Sequence, residues 1–160
     1  MAVKICVIGP SRSGKTLLSK CLASQILTSA EDGNETYEPT AGIRIQQYEC
    51  PTTHRSRGAM QTVHLYDCSG DMQYQTMWKV MASDADGVII VQDPQLSQDR
   101  DQKQQLDRMY NTFVEQSKLG PERCLVVAMD TSGRGRGAAR LTSNTPKLQK
   151  LRTVSVSFDG

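Results

Sequence analysis

The stretch Gly9-Pro10-Ser11-Arg12-Ser13-Gly14-Lys15-Thr16 constrains this chain more than any other, because it matches the phosphate-loop pattern G-x-x-x-x-G-K-[ST]. Val3-Lys4-Ile5-Cys6-Val7-Ile8 before it reads as a buried strand. Leu17 to Ile26 after it reads as a helix, with Leu18, Cys21, Leu22, Gln25 and Ile26 on one face. Gly9 and Gly14 allow backbone conformations closed to residues with a Cβ. The loop from Gly9 to Leu17 can then gather its N–H groups into an anion nest at a helix N-terminus. Lys15 supplies a point charge for β- and γ-phosphates, and the Thr16 hydroxyl is placed to ligate Mg²⁺.

The rest of the chain reads as one α/β domain. Strand patterns lie at about Ile43 to Glu49, Thr62 to Asp67, Gly87 to Gln92, Cys124 to Met129 and Thr153 to Phe158. The second and third form an expected antiparallel hairpin around a polar turn from Pro51 to Ala59. Gly87 to Gln92 is continuously apolar, which suits the centre of a parallel sheet. Helices are expected over Met72 to Ala82 and from about Ser97 to Lys118, the latter with an apolar stripe of Leu106, Met109, Tyr110 and Phe113. The order predicts a mostly parallel sheet of six strands with helices on both faces. A ligand would sit at the carboxyl ends of the strands.

Composition narrows the partners. A formal net charge of +2 over 160 residues gives no argument for nucleic acid or an anionic membrane, and no apolar run is long enough to span a bilayer. Neither end carries a lipidation signal, so no direct membrane anchor is expected. Hydrophobic residues make up only 38%, which points to long polar connectors. One is Ser29 to Glu38. Another is Asp130 to Lys147, whose run Gly133-Arg134-Gly135-Arg136-Gly137 lacks the interleaved aromatics of an RNA-binding tract and reads as a solvated mobile loop. Cys6, Cys21, Cys50, Cys68 and Cys124 show no metal-ligand spacing and read as reduced cytosolic thiols. His54 and His64 have no ligand cluster around them.

Two further signals follow the phosphate loop in order. In Tyr37-Glu38-Pro39-Thr40-Ala41-Gly42, Thr40 can ligate Mg²⁺ through its hydroxyl and a γ-phosphate through its backbone. In Asp67-Cys68-Ser69-Gly70, Asp67 can hold a Mg²⁺-bound water and the Gly70 N–H can meet the γ-phosphate. Together these features resemble the small GTPase superfamily, with a phosphate loop, a switch I threonine and a switch II D-x-x-G. Over nearly its whole length the chain is most similar to the divergent Rab-like GTPase of intraflagellar transport. The stretches that carry this are Val7-Ile8-Gly9-Pro10, Ser13-Gly14-Lys15-Thr16, Tyr37-Glu38-Pro39-Thr40, Tyr66-Asp67-Cys68-Ser69-Gly70-Asp71 and Asp86-Gly87-Val88-Ile89-Ile90-Val91. The resemblance implies a GTP- or GDP-binding switch with Mg²⁺. It implies membership of the intraflagellar transport B complex, with coiled-coil subunits as partners, at the cilium or flagellum and its base.

Departures from the superfamily pattern shape the expectations. Asp71 stands where a water-orienting glutamine is usual, which predicts slow hydrolysis; Asp71 reads either as a general base or as a cap for the next helix. The base-recognition motif is replaced by Ala128-Met129-Asp130-Thr131-Ser132. There Met129 is a candidate to cover a purine face, and Asp130 or Ser132 to reach its edge. Arg12 replaces a frequent glycine, pointing outward or acting as a built-in arginine finger. Tyr74, Met77, Trp78 and Met81 either pack on the sheet or offer a partner surface, Trp78 foremost. The superfamily's last helix has no counterpart before Gly160, which leaves apolar surface bare beside the first and last strands; a domain cut short or continued by a tail is expected, with a covering partner as the alternative. An efficient GTPase and a kinase-like ATP-using enzyme are the competing functions.

Overall fold

The computed structural model describes residues 2–24, 39–52, 59–94, 99–130 and 146–157. Alternation of apolar side chains builds a sheet sandwiched between helices. The strands are β1 (Val3–Ile8), β2 (Ile43–Pro51), β3 (Met60–Cys68), β4 (Gly87–Gln92), β5 (Cys124–Asp130) and β6 (Arg152–Ser157). They lie in the order β2-β3-β1-β4-β5-β6, parallel except for β2, which pairs antiparallel with β3. Even-numbered positions Cys6, Ile8, Val88, Ile90, Cys124 and Val126 face one layer. Odd-numbered Val7, Val91, Val127 and Met129 face the other. Burying both faces is why residues 6–8 of β1, 88–91 of β4 and 124–129 of β5 are continuous apolar runs.

Helix α1 (Lys15–Ser24) covers the odd face through Leu18 and Leu22. Val3, Ile5, Ile89, Leu125 and Val156 are only partly buried on that face. Helices α2 (Trp78–Ala82) and α3 (Arg100–Tyr110) cover the even face through Trp78, Met81, Ala82, Leu106 and Met109. Asp99 caps α3, its carboxylate accepting from the backbone N–H of Asp101 at 2.8 Å and of Gln102 at 3.4 Å.

Several sequence boundaries shift for local reasons. The hairpin strands run on to Pro51 and Met60 because Thr52 N–H donates to Ala59 O at 2.9 Å beyond them. Met72 to Ala82 is not one helix: a 3₁₀ segment (Met72–Met77) precedes α2. The expected helix to Lys118 gives way to a π-turn over Asn111–Glu115. There the Thr112 hydroxyl donates back to Arg108 O at 3.1 Å, and Gln116 N–H reaches five residues back to Asn111 O. Residues 25, 26, 97, 98 and 158, which the sequence assigned to helix or strand, lie outside the described residues, as do Ser29 to Glu38, His54 and 131–145. No described helix is long and apolar enough to cross a membrane.

Candidate functional site: a nucleotide cleft at the strand ends

The carboxyl ends of β1 and β3 deliver the phosphate loop and the Asp67–Gly70 segment to one edge of the sheet, as parallel order requires. Between them and Pro39–Thr40 lies a cleft of ≈ 860 Å³ lined by residues 11–17, Pro39, Thr40, Ser69, Gly70 and Asp71. Gly9 sits against the main chain of β4: a Cβ there would run into Val91 O, so the loop's first turn admits only glycine. Arg12 has φ 65°, a left-handed conformation that glycine adopts without steric cost. Its side chain is exposed and lines the cleft mouth. Arg12→Gly is expected to stabilise the fold by about 1 kcal/mol, the cost of a left-handed non-glycine residue. In a thermal melt this is a rise of about 2–4 °C.

Lys15 opens α1 and is only 6% exposed, its ammonium donating to Pro10 O at 2.6 Å. Burial lowers its pKa to about 8, against the opposing pull of Asp67 and Cys68. Three oxygens converge beside it. Thr16 Oγ1 donates to Asp67 Oδ2 at 2.7 Å, Thr40 Oγ1 donates to the same oxygen at 3.1 Å, and the two hydroxyls are 3.0 Å apart. Asp67 is fully buried and its other oxygen, Oδ1, has no partner. Ser69 N–H donates to Gly42 O at 2.8 Å, which ties the Thr40 segment to the end of β3. Hydroxyl and carboxylate oxygens around a buried, half-satisfied acid suit a hard cation such as Mg²⁺. No cluster of three His, Cys, Asp or Glu exists among the described residues, so the soft-ligand alternatives have no donor set there.

Other candidate residues take definite places. Asp71 caps the 3₁₀ segment, accepting from Gln73 N–H at 3.0 Å and Gln73 Nε2 at 2.9 Å, so both carboxylate oxygens are engaged. Trp78 corrects an expectation: far from offering a partner surface, it is fully buried, its Nε1 donating to Ser69 O at 3.3 Å and its ring tilted against Phe113. Trp78, Met81 and Ala82 form the inward stripe of α2, which leaves Met77 and Val80 outside. Ala128 and Met129 are also buried and do not line the cleft; Met129 packs beneath Gly14 because β5 points its odd positions toward α1. Asp130 ends β5, while Thr131 and Ser132 lie outside the described residues, as do Tyr37 and Glu38. Two residues with no motif to announce them reach the loop from α3. Gln102 Nε2 donates to Ser11 O at 3.1 Å, and Ser11 N–H donates to Gln105 Oε1 at 3.3 Å.

A strand, a phosphate loop and a helix, joined at the sheet edge by a buried aspartate between two threonines, define a nucleotide-binding domain of small-GTPase architecture. The family model described as Roc, Ras of Complex, domain of DAPkinase, matches residues 4–132. Intraflagellar transport protein 22 of Chlamydomonas reinhardtii is 37% identical, over 98% of this chain and 77% of the relative. Its Homo sapiens homolog is 34% identical, over 99% and 81%. A solved structure described as GTP-bound IFT22/74/81 of T. brucei superposes with a TM-score of 0.75 at 26% identity, over 99% of this chain and 84% of that one. The chain belongs to the intraflagellar transport protein 22 family.

Proposed function

We propose that this chain is a GTP- and GDP-binding molecular switch and an assembly subunit of the intraflagellar transport B complex, with weak intrinsic hydrolysis. The convergence of Thr16, Thr40 and Asp67 beside the buried Lys15 carries the reading. Residues from three separate segments meet where a metal-bound triphosphate would lie. Thr16, Thr40 and, through water, Asp67 are the residues that would hold Mg²⁺, which when bound offsets charge between the β- and γ-phosphates. Loop N–H groups and Lys15 bind the phosphates; Gly70 N–H supplies a further donor for the third. Segments around Thr40 and Gly70 are thereby ordered by the γ-phosphate and released without it.

Weak hydrolysis follows from Asp71. Its carboxylate is occupied as a cap, and it lacks the amide donor that would orient water. The T. brucei structure, described as IFT22/74/81, supports assembly with other subunits of the B complex; partners of coiled-coil type and a place at the cilium or flagellum belong to the proposal. Guanine preference leans on family membership, since Met129 is turned into the core.

Titrations with GTP, GDP and ATP, with and without Mg²⁺, and single-turnover hydrolysis test the reading. GTP is expected to bind with Mg²⁺ and turn over slowly. Preference for ATP would favour the kinase-like alternative, and fast unaided cleavage the efficient GTPase. Thr16→Asn is expected to weaken triphosphate binding more than diphosphate binding, by about tenfold. Equal loss of both would remove Thr16 from the metal's coordination.

A further inference from the structure

Ser11 is held by α3 at both ends of its backbone. Its N–H donates to Gln105 Oε1 at 3.3 Å and its carbonyl accepts from Gln102 Nε2 at 3.1 Å. The two glutamines stand three residues apart on one face of α3, anchored by the Asp99 cap, and Leu106 and Met109 fix the helix to the sheet. Neither glutamine lines the cleft.

Their effect passes through two consecutive peptide planes. In a trans peptide the C=O and N–H point in opposite directions. Pointing Ser11 N–H at Gln105 therefore turns Pro10 O away from α3, and that oxygen is the one that receives the Lys15 ammonium at 2.6 Å. Pointing Ser11 O at Gln102 likewise turns the N–H of Arg12 away from α3. The carbonyl that receives the Lys15 ammonium and the peptide plane after it are thus both set from behind.

We propose that Gln102 and Gln105 are positioning residues that hold the phosphate loop in its triphosphate-binding form through Ser11. This rests on the nucleotide reading above. Because one glutamine must donate and the other must accept, the amide orientations are dictated by Ser11 itself. An asymmetry follows. Gln105→Glu keeps an acceptor for Ser11 N–H, whereas Gln102→Glu replaces a donor with an anion facing a carbonyl.

The test is GTP affinity and dissociation rate for Q102E, Q105E, Q102A and the Q102A/Q105A pair, at ionic strength high enough to screen the added charge. Thermal melts and amide hydrogen exchange of Ser11 and Arg12 are followed in the nucleotide-free proteins. Q105E is expected to stay within a few-fold of the parent, while Q102E and the double alanine variant lose about tenfold or more. Ser11 amide exchange is expected to accelerate in the double alanine variant at little change in melting temperature, which a merely structural role would not produce. Equal binding by all variants, or equal loss in Q102E and Q105E, overturns the clamp. A parent protein that takes no triphosphate overturns the nucleotide reading and the clamp's function with it.

Discussion

Lys15→Met is expected to cut triphosphate affinity by about two to three orders of magnitude, the scale of removing one partner from a buried charge pair, and to raise the melting temperature of the nucleotide-free protein. Both effects have one origin. The ammonium is buried at 6% exposure, and burial holds its pKa at about 8 against an ordinary value of 10.5. Folding without nucleotide therefore works against the charged form, and methionine fills the same space without that cost. The pH dependence gives the sign. Between about 8 and 10.5 the unfolded chain binds a proton that the folded chain has released, so this group makes stability rise with pH across that window. Below about 8 both states hold the proton and its contribution is flat. Lys15→Met removes the rise. Binding runs the other way: phosphates require the ammonium, so affinity is level below about 8 and falls as the free protein deprotonates above it. Melts and titrations across pH 7 to 10, parent against variant, measure both slopes. A parent with flat affinity over that range would mean that Lys15 does not face the phosphates.

The main lines of the fold were legible because they follow from periodicity alone. β1 and β4 have the bounds expected, since apolar runs between turn residues leave little freedom. Helix type was less legible. Whether Met72 to Ala82 is one helix depends on Asp71 engaging Gln73, and the π-turn after Tyr110 depends on a hydroxyl reaching Arg108 O. Trp78 was misread because a tryptophan at helical spacing carries the same pattern whether it faces a sheet or a partner. The deciding contacts lie outside its own helix: Ser69 follows β3 and Phe113 sits in the π-turn after α3.

The site divides in the same way. Thr16, Thr40 and Asp67 were readable because each sits in a motif whose chemistry names its ligand, although their convergence across 51 residues is a product of sheet order. Gln102 and Gln105 were not readable. A glutamine on a polar helix face carries no signal of its own, and Ser11 lies 91 and 94 residues away from them. Met129 is the opposite case, a motif position whose burial the sequence does not announce. Position in a degenerate base motif suggested the nucleotide, but strand alternation sends its side chain under Gly14.

Gly70→Ala should separate the switch from the fold. The φ of Gly70 is not in the left-handed region, so its requirement is one of space. An added Cβ would lie 2.5 Å from Gly9 O, 2.7 Å from Ser11 N and 2.8 Å from Pro10 C. All three are main-chain atoms of the phosphate loop and cannot rotate aside. The loop is held by β1 before it and by the α3 glutamines behind it, so the Ser69–Asp71 segment must move instead. That segment is tied at several points: Ser69 N–H to Gly42 O, Trp78 Nε1 to Ser69 O, and Asp71 N–H to Ser69 Oγ at 3.2 Å. Moving it costs about 1–3 kcal/mol, as overpacking does elsewhere, or roughly 3–10 °C in melting temperature for a domain of this size. It also pulls Asp67 from Thr16 and Thr40. The Mg²⁺-dependent preference for triphosphate over diphosphate is therefore expected to fall about tenfold or more, while diphosphate binding, which rests on Lys15 and the loop, changes less. Trp78, the sole tryptophan, reports the displacement directly, since its indole N–H is bonded to Ser69 O. A variant with parental emission, melting temperature and triphosphate preference would show that Gly70 does not press on the loop, and the coupling between the D-x-x-G segment and the metal oxygens would have to be abandoned.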